Sequence, residues 1–187
     1  ILAKGFDDGS LKILKKKKNL RIIDISLFKY KKESSIKTFE GSFLIQNKDK
    51  VVIDKNKLKC VTKLKPSKKE LSEIEFAFNI SKFVKSNAIV LCNNFSTIGI
   101  GAGQPSRLDS CKIAIQKAKQ FQPSMIKNCV AASDAFFPFT DGVETLIRAG
   151  VKIIIQPGGS IRDQEIINTA DKAKIKMLFT GIRHFYH

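Results

Sequence analysis

Residues 131–142 place aromatic rings and acceptor side chains close together. A Phe-Phe-Pro-Phe run occupies positions 136–139, with Asp134 before it and Asp141 after it. Aromatic faces stack on flat rings, and carboxylates accept hydrogen bonds from ring N–H groups. The segment therefore predicts a surface that recognises a planar ligand with polar edges.

Two further groups with chemical capacity precede this segment. Asn87 lies at a predicted helix-to-strand junction, and Arg107 follows a glycine-rich stretch at 99–103 after three further residues. A guanidinium can bind a carboxamide or a phosphate through two hydrogen bonds. The Asn87 amide could instead satisfy local backbone groups, and this alternative stays open.

The glycine-rich stretch itself has two interpretations. It resembles a phosphate-binding loop, but it lacks the Gly-x-Gly-x-x-Gly spacing and a Walker lysine-serine pair. A strand that packs closely on another backbone needs the same glycines. We therefore favour close packing over a dinucleotide site.

The composition is that of a globular protein with one domain or two small ones, since 43% apolar residues over 187 positions can build a core. No segment has the length of a membrane span and no signal peptide is recognised, so we expect a cytoplasmic protein with no membrane partner. The cysteines are widely spaced and have no nearby histidine, which predicts buried free thiols rather than zinc or disulfides. They are Cys60, Cys92, Cys111 and Cys129.

The net charge of +17 indicates an anionic partner. Nucleic acid is one such partner, but 29 of the 34 cations are lysine, which lacks the planar fork favoured for reading bases and phosphates. The pattern is typical of a solvated lysine-rich surface, and the positive field would attract an anionic small molecule as well, which we favour over nucleic acid.

Repeated strand, turn and helix signals predict an α/β protein, a layered α/β/α sandwich with ligands at the strand ends. The clearest signal is at Ser67 and Glu70, which form a capping box for a helix over 68–84. Further helices are expected at 11–18, from Ser106 or Asp109 to 119, at 142–149 and at 162–172, the last with Ser160 as a candidate cap. Strands are expected at 20–27, twice within 41–53 around a turn at 47–49, and at 88–91, 97–100, 151–155 and 176–179.

Taken together, these motifs resemble the bifunctional purine biosynthesis family, in which aminoimidazole carboxamide ribonucleotide (AICAR) formyltransferase is joined to IMP cyclohydrolase. The matching segments occur in family order, and residues 28–65 match loosely. They are residues 15–21, 84–90, 99–104 with 106–107, 133–139 with Asp141, 156–160 with 162–163, and 180–185 with His187.

The resemblance implies formyl transfer from formyl-tetrahydrofolate, the cosubstrate, to AICAR on the way to IMP. It also implies a cytidine-deaminase-like fold and a homodimer in the intact enzyme. Deaminase chemistry is not implied, because the sequence has neither a His-x-Glu motif nor a Pro-Cys-x-x-Cys zinc signature.

The resemblance also assigns roles to individual residues. Asn87, as the catalytic residue, and Arg107 would hold and polarise the AICAR carboxamide, while Arg183 would bind the phosphate. The surface shared by nucleotide and folate would comprise Ala135, Phe136, Pro138, Phe139 and Asp141, with Phe185 and His187 completing the pocket. A potassium ion near Ser86 and Asp134 is a further implication.

By this resemblance, residues 1–65 are part of a linking region and residues 66–187 are the carboxyl-terminal transformylase repeat. The cyclohydrolase domain and the first transformylase repeat, with its Lys-His pair for proton transfer, are expected to be absent from this sequence. The missing transformylase half is therefore an expected partner. Two other functions stay open: a non-catalytic nucleotide- or folate-binding fragment, and a basic nucleic-acid-binding module.

Overall fold

The computed structural model describes residues 1–29, 34–47, 49, 51–54 and 57–186. These residues separate into two units, Ile1–Lys48 and Asp49–His187. In the first unit, strand β1 (Leu2–Ala3) pairs in parallel with β2 (Ile23–Asp24). Helix α1 (Asp8–Leu14) begins where Asp7 accepts a hydrogen bond from the Ser10 N–H. Strands β3 (Ser34–Phe39) and β4 (Ser42–Asn47) form an antiparallel hairpin.

The sequence predictions for this unit were partly wrong. The predicted strand at 20–27 is reduced to Ile23–Asp24, and the predicted turn at 47–49, which includes a residue outside the described part, does not separate two strands. The hairpin turns instead at Glu40 and Gly41, whose φ angles are 41° and 78°. Glycine suits such a left-handed position. Every residue of β4 is exposed, so no alternation of burial marked its bounds.

The second unit is built on a six-stranded sheet in the order β5-β10-β9-β8-β6-β7. Strands β8, β9 and β10 are parallel, whereas β5, β6 and β7 each pair antiparallel with a neighbour. The strands are β5 (Lys59–Cys60), β6 (Ile89–Asn93), β7 (Ser96–Gly101), β8 (Val130–Ser133), β9 (Ile153–Gln156) and β10 (Lys176–Phe179). The helices are α2 (Lys68–Ser81), α3 (Arg107–Phe121), α4 (Thr140–Ala149) and α5 (Asp163–Lys172), with a short 3-10 turn at Pro123–Met125.

The sheet has a buried core on each face, as β6 illustrates. Its residues alternate: Ile89 and Leu91 enter one core with residues of α3, α4 and α5, while Val90 enters the other with Phe78 of α2. This alternation is what a strand covered on both faces requires. The predicted α/β class and its layered arrangement are confirmed.

The predicted capping box of α2 was also confirmed. Ser67 and Glu70 form the predicted capping box, although α2 ends at Ser81 rather than at 84. All four cysteines are free; Cys60 is half-buried and the other three are buried. Burial raises the pKa of those three thiols to about 12. Among the helices of the described residues, none has the length and apolar character needed to cross a bilayer.

The glycines of β7 bring that strand against α3. A Cβ at Gly101 would overlap the carbonyl oxygen of Ser110, and one at Gly99 would overlap that of Ala114. The glycine-rich stretch thus has the close-packing role favoured from the sequence.

Gly101→Ala is expected to lower the free energy of unfolding by about 3 kcal/mol or more, because strand and helix backbones must separate to admit a methyl group. Ser96→Ala, an exposed position on the same strand, should change it by about 0.5 kcal/mol or less. Urea denaturation of both variants measures the difference. Equal stabilities would show that β7 and α3 do not need this close approach.

Candidate functional site

Three chain segments meet at the carboxyl edge of the parallel strands. Residues 134–139, 157–162 and 180–186 follow β8, β9 and β10 respectively. The antiparallel strand β6 begins at this same edge, because Ile89 pairs with both Ser133 and Gly101. Ligands of open α/β sheets bind outside the carboxyl ends of the strands, so this edge is the candidate site.

Arg107 is at the centre of the edge. It is the first residue of α3, and the residue is 9% exposed. Its Nη1 donates to Asp134 Oδ1 at 2.5 Å and to Ser133 Oγ at 2.7 Å, and its Nη2 donates to Asn87 Oδ1 at 2.8 Å. The structure therefore brings together Asn87, Arg107 and Asp134.

Asn87 uses most of its hydrogen-bonding capacity within the protein. Its Nδ2 donates to the carbonyl oxygens of Gln104 at 2.8 Å and Pro105 at 3.1 Å. An amide has two N–H donors and two acceptor lone pairs. With Arg107 occupying one lone pair, Asn87 retains capacity for one further donor. The local backbone role that the sequence left open is thus present in the structure.

The aromatic segment has a buried base and an exposed rim. Phe137 is buried, and its N–H donates to Gln156 Oε1 at 2.9 Å. Phe139 is 51% exposed and Phe136 is half-buried. Each ring has an arginine over its face. The guanidinium of Arg183 lies 5.1 Å from the centre of the Phe136 ring. A stacked arginine keeps its charge available to an anion.

The other predicted contacts in this segment differ in exposure. Pro138 and Asp141 are exposed, but Ala135 is 5% exposed, and its carbonyl accepts from Ser133 Oγ. Asp141 lies in the first turn of α4, where its Oδ1 accepts from the Gly142 N–H at 2.6 Å. A carboxylate in a first turn also stabilises its helix.

The carboxyl-terminal tail crosses this edge. The His184 N–H donates to the Asp134 carbonyl at 2.9 Å, and the Ser86 N–H donates to the Tyr186 carbonyl at 2.9 Å. Phe185 is 51% exposed between these contacts. The predicted pocket residue His187 lies outside the described residues.

The predicted potassium position has few oxygens to offer. Ser86 Oγ accepts from the Tyr186 N–H, and Asp134 Oδ1 is bound to Arg107. Asp134 Oδ2 is buried and has no partner within the described part of the chain. A hard cation needs a shell of several oxygens, which these two residues do not supply. In the described ranges, no cluster of three or more His, Cys, Asp or Glu side chains could hold a metal either.

Two residues at this edge were not predicted as site residues. The guanidinium of Arg162 lies 4.9 Å from the centre of the Phe139 ring, and His184 is buried beside the tail contacts. Arg162 was expected as the start of a helix and as part of a family motif, and Ser160 as the helix cap. Helix α5 begins instead at Asp163, and Ser160 Oγ accepts from the Arg162 N–H. No local spacing indicates stacking between segments so far apart in sequence.

Comparison with known proteins identifies the family. The family model described as AICARFT/IMPCHase bienzyme matches residues 1–117. The bifunctional purine biosynthesis protein PurH of Thermoanaerobacter sp. (strain X514) is 48% identical over 187 residues, which are 100% of this chain and 36% of that protein. The protein of the same name from Aquifex aeolicus (strain VF5) is 43% identical, with the same coverage. The chain belongs to the AICARFT/IMPCHase family.

The chain spans about a third of the length of these relatives, since it covers 36% of each. Among solved structures, one titled Acinetobacter baumannii RibD, form 2 matches 58% of this chain and 33% of its own at 17% identity, with a TM-score of 0.37. An overlap of that extent has no bearing on the fold.

Arg107→Ala is expected to lower the free energy of unfolding by about 3–5 kcal/mol, because it leaves the Asp134 carboxylate buried without its cation. Arg148→Ala is the matched control: its ion pair with Glu144 is exposed, with side-chain exposures of 70% and 45%. Such a pair contributes about 0.5 kcal/mol. If urea denaturation gave equal losses for the two variants, Arg107 would not be the organising residue of this edge.

Proposed function

We propose that this chain forms part of an AICAR formyltransferase, which transfers the formyl group of formyl-tetrahydrofolate to the amine of AICAR. The observation that carries the proposal is the convergence of Asn87, Arg107 and the aromatic segment at one edge of the sheet. Membership of the AICARFT/IMPCHase family gives that edge its substrate class.

The reaction begins when the AICAR amine nitrogen attacks the formyl carbon. The carbon–nitrogen bond to the folate then breaks, the folate nitrogen gains a proton, and the amine loses one. Asn87 Oδ1, with one lone pair remaining, suits the carboxamide N–H of AICAR and would fix the neighbouring amine. Arg107 holds Asn87 in that orientation through its 2.8 Å hydrogen bond.

The exposed rim would bind the rest of both substrates. Arg183 is exposed and stacked on Phe136, which suits it to the AICAR phosphate. Phe139 and Phe185 are each 51% exposed, and aromatic surface of this extent suits stacking on the base and the folate ring. Asp141 and Pro138 lie beside them, and Ala135, being buried, would contribute backbone rather than side chain.

The proton of the attacking amine needs an acceptor. His184, the one histidine among the described residues, is 2% exposed, and its Nδ1 lies 2.5 Å from Asp49. No base is therefore assigned to the described residues. Substrate binding, rather than turnover, is the sharper test for this chain.

We further infer that residues 66–187 correspond to the carboxyl-terminal transformylase repeat, with a cytidine-deaminase-like fold, and residues 1–65 to a linking region. The mixed sheet with helices on both faces supports the first assignment. A homodimer is proposed for the intact enzyme by family membership.

Arg183→Ala is expected to weaken AICAR binding by roughly 10- to 150-fold, because a charge-assisted hydrogen bond to phosphate contributes about 1.5–3 kcal/mol. Isothermal titration calorimetry on the parent and the variant measures this. Arg148→Ala, an arginine of α4 whose partner is Glu144, serves as the control and should bind AICAR like the parent. Unchanged affinity in Arg183→Ala would overturn the phosphate assignment. Salt-sensitive binding of nucleic acid without AICAR binding would instead favour a nucleic-acid module.

Asp141→Asn should weaken binding of a folate analogue by on the order of tenfold and binding of AICAR by less. The reason is that it replaces an acceptor-only group by one that also donates. Glu144→Gln, which neutralises a carboxylate on the same helix, is the control. Calorimetry with both ligands and a melting curve are required. If both affinities fall together with the melting temperature, Asp141 is a structural residue of α4, in keeping with its contact to Gly142.

A further inference from the structure

His184 is buried between two exposed neighbours in the tail, residues 180–186. It is 2% exposed, whereas Phe185 is 51% exposed and Arg183 is also exposed. Its Nδ1 lies 2.5 Å from Asp49 Oδ2, across 135 residues of sequence. Because an ionised carboxylate only accepts, Nδ1 carries the proton of this hydrogen bond.

Asp49 is held in place independently of the tail. Its Oδ1 accepts from the Val51 N–H at 3.0 Å and lies 3.9 Å from Lys82 Nζ, which itself donates to the Val51 carbonyl. Burial opposes ionisation of Asp49. The hydrogen bonds from His184 and Val51 and the charge of Lys82 nevertheless hold its pKa below the ordinary value. The tail is therefore tethered to a fixed, charged acceptor.

The backbone and ring of His184 have further partners. Its N–H donates to the carbonyl of Asp134, the residue that pairs with Arg107. Its ring packs on Phe78 of α2, with the ring centres 4.8 Å apart. The alternation of exposed, buried and exposed residues means that burying His184 turns its two neighbours outward.

We propose that the Asp49–His184 hydrogen bond is the anchor that orders the tail and thereby positions Arg183 and Phe185. Both members are positioning residues, since the His184 side chain is buried and the Asp49 carboxylate oxygens accept from His184 and Val51. The anchor is a property of this chain's own fold, and its consequence for AICAR rests on the function proposed above.

Two variants of Asp49 test the anchor. Asp49→Ala removes the acceptor, whereas Asp49→Asn keeps an oxygen that can accept from Nδ1. Hydrogen exchange of the His184 and Tyr186 amides, both hydrogen-bonded in the parent, reports tail order without any ligand. Calorimetry with AICAR reports the consequence for binding. Glu144→Gln, which also removes one negative charge, is the control.

Asp49→Ala should speed hydrogen exchange of the two amides by on the order of tenfold and weaken AICAR binding to a similar degree. Asp49→Asn should keep most of the parent's exchange protection and AICAR affinity. If Asp49→Ala does not fold, His184→Phe carries the test, because it keeps the ring against Phe78 and removes the donor. Unchanged exchange in the disruptive variant overturns the anchor. Faster exchange with unchanged AICAR affinity overturns the positioning role.

The same measurements distinguish an error in the proposed function from an error in the proposed anchor. A parent chain that does not bind AICAR overturns that function. The exchange measurement then still decides whether Asp49 and His184 order the tail.

Discussion

One buried ion pair, the Arg107 guanidinium against the Asp134 carboxylate, holds the carboxyl edge of this sheet together. Both charged groups are buried: Arg107 is 9% exposed and Asp134 is 0% exposed. Each charge can be buried because the opposite charge of its partner compensates for the lost hydration. Replacing such a pair with well-packed apolar residues is often neutral for stability, whereas removing one member leaves a buried charge. The contribution of the pair is therefore to define geometry more than to add stability.

The rest of the site depends on this geometry. Arg107 is fixed at the start of α3, and α3 is fixed against β7 by backbone contact at Gly101. Arg107 Nη2 donates to Asn87 Oδ1 and so orients the Asn87 side chain. The backbone carbonyl of Asp134 accepts from the His184 N–H and so binds the tail. The groups that remain exposed are those suited to an anionic, planar ligand. Aromatic surface combined with a few precisely placed polar groups is a common arrangement for small-molecule sites.

The elements with strong local signals could be predicted from the sequence. The Ser67 capping box and the alternating core strands of the second unit are examples, because burial and capping leave a pattern within a few residues. The hairpin turn at Glu40 and Gly41 was missed because its strands are exposed and have no such pattern. A ligand-site role for Asn87 stays a prediction from family resemblance, whereas the use of its amide by nearby backbone carbonyls, which the sequence left open, is observed. The Asp49–His184 contact joins residues too far apart in sequence for any spacing rule.

The most direct test of this view is a double-mutant cycle on the pair itself, with Arg107→Met, Asp134→Leu and the double variant compared by urea denaturation. Each single variant leaves one buried charge alone, whereas the double variant leaves none. The coupling between the two positions should therefore be about 2–3 kcal/mol, and the double variant should be more stable than either single one. A coupling near zero, with additive losses, would contradict the central place given to this ion pair.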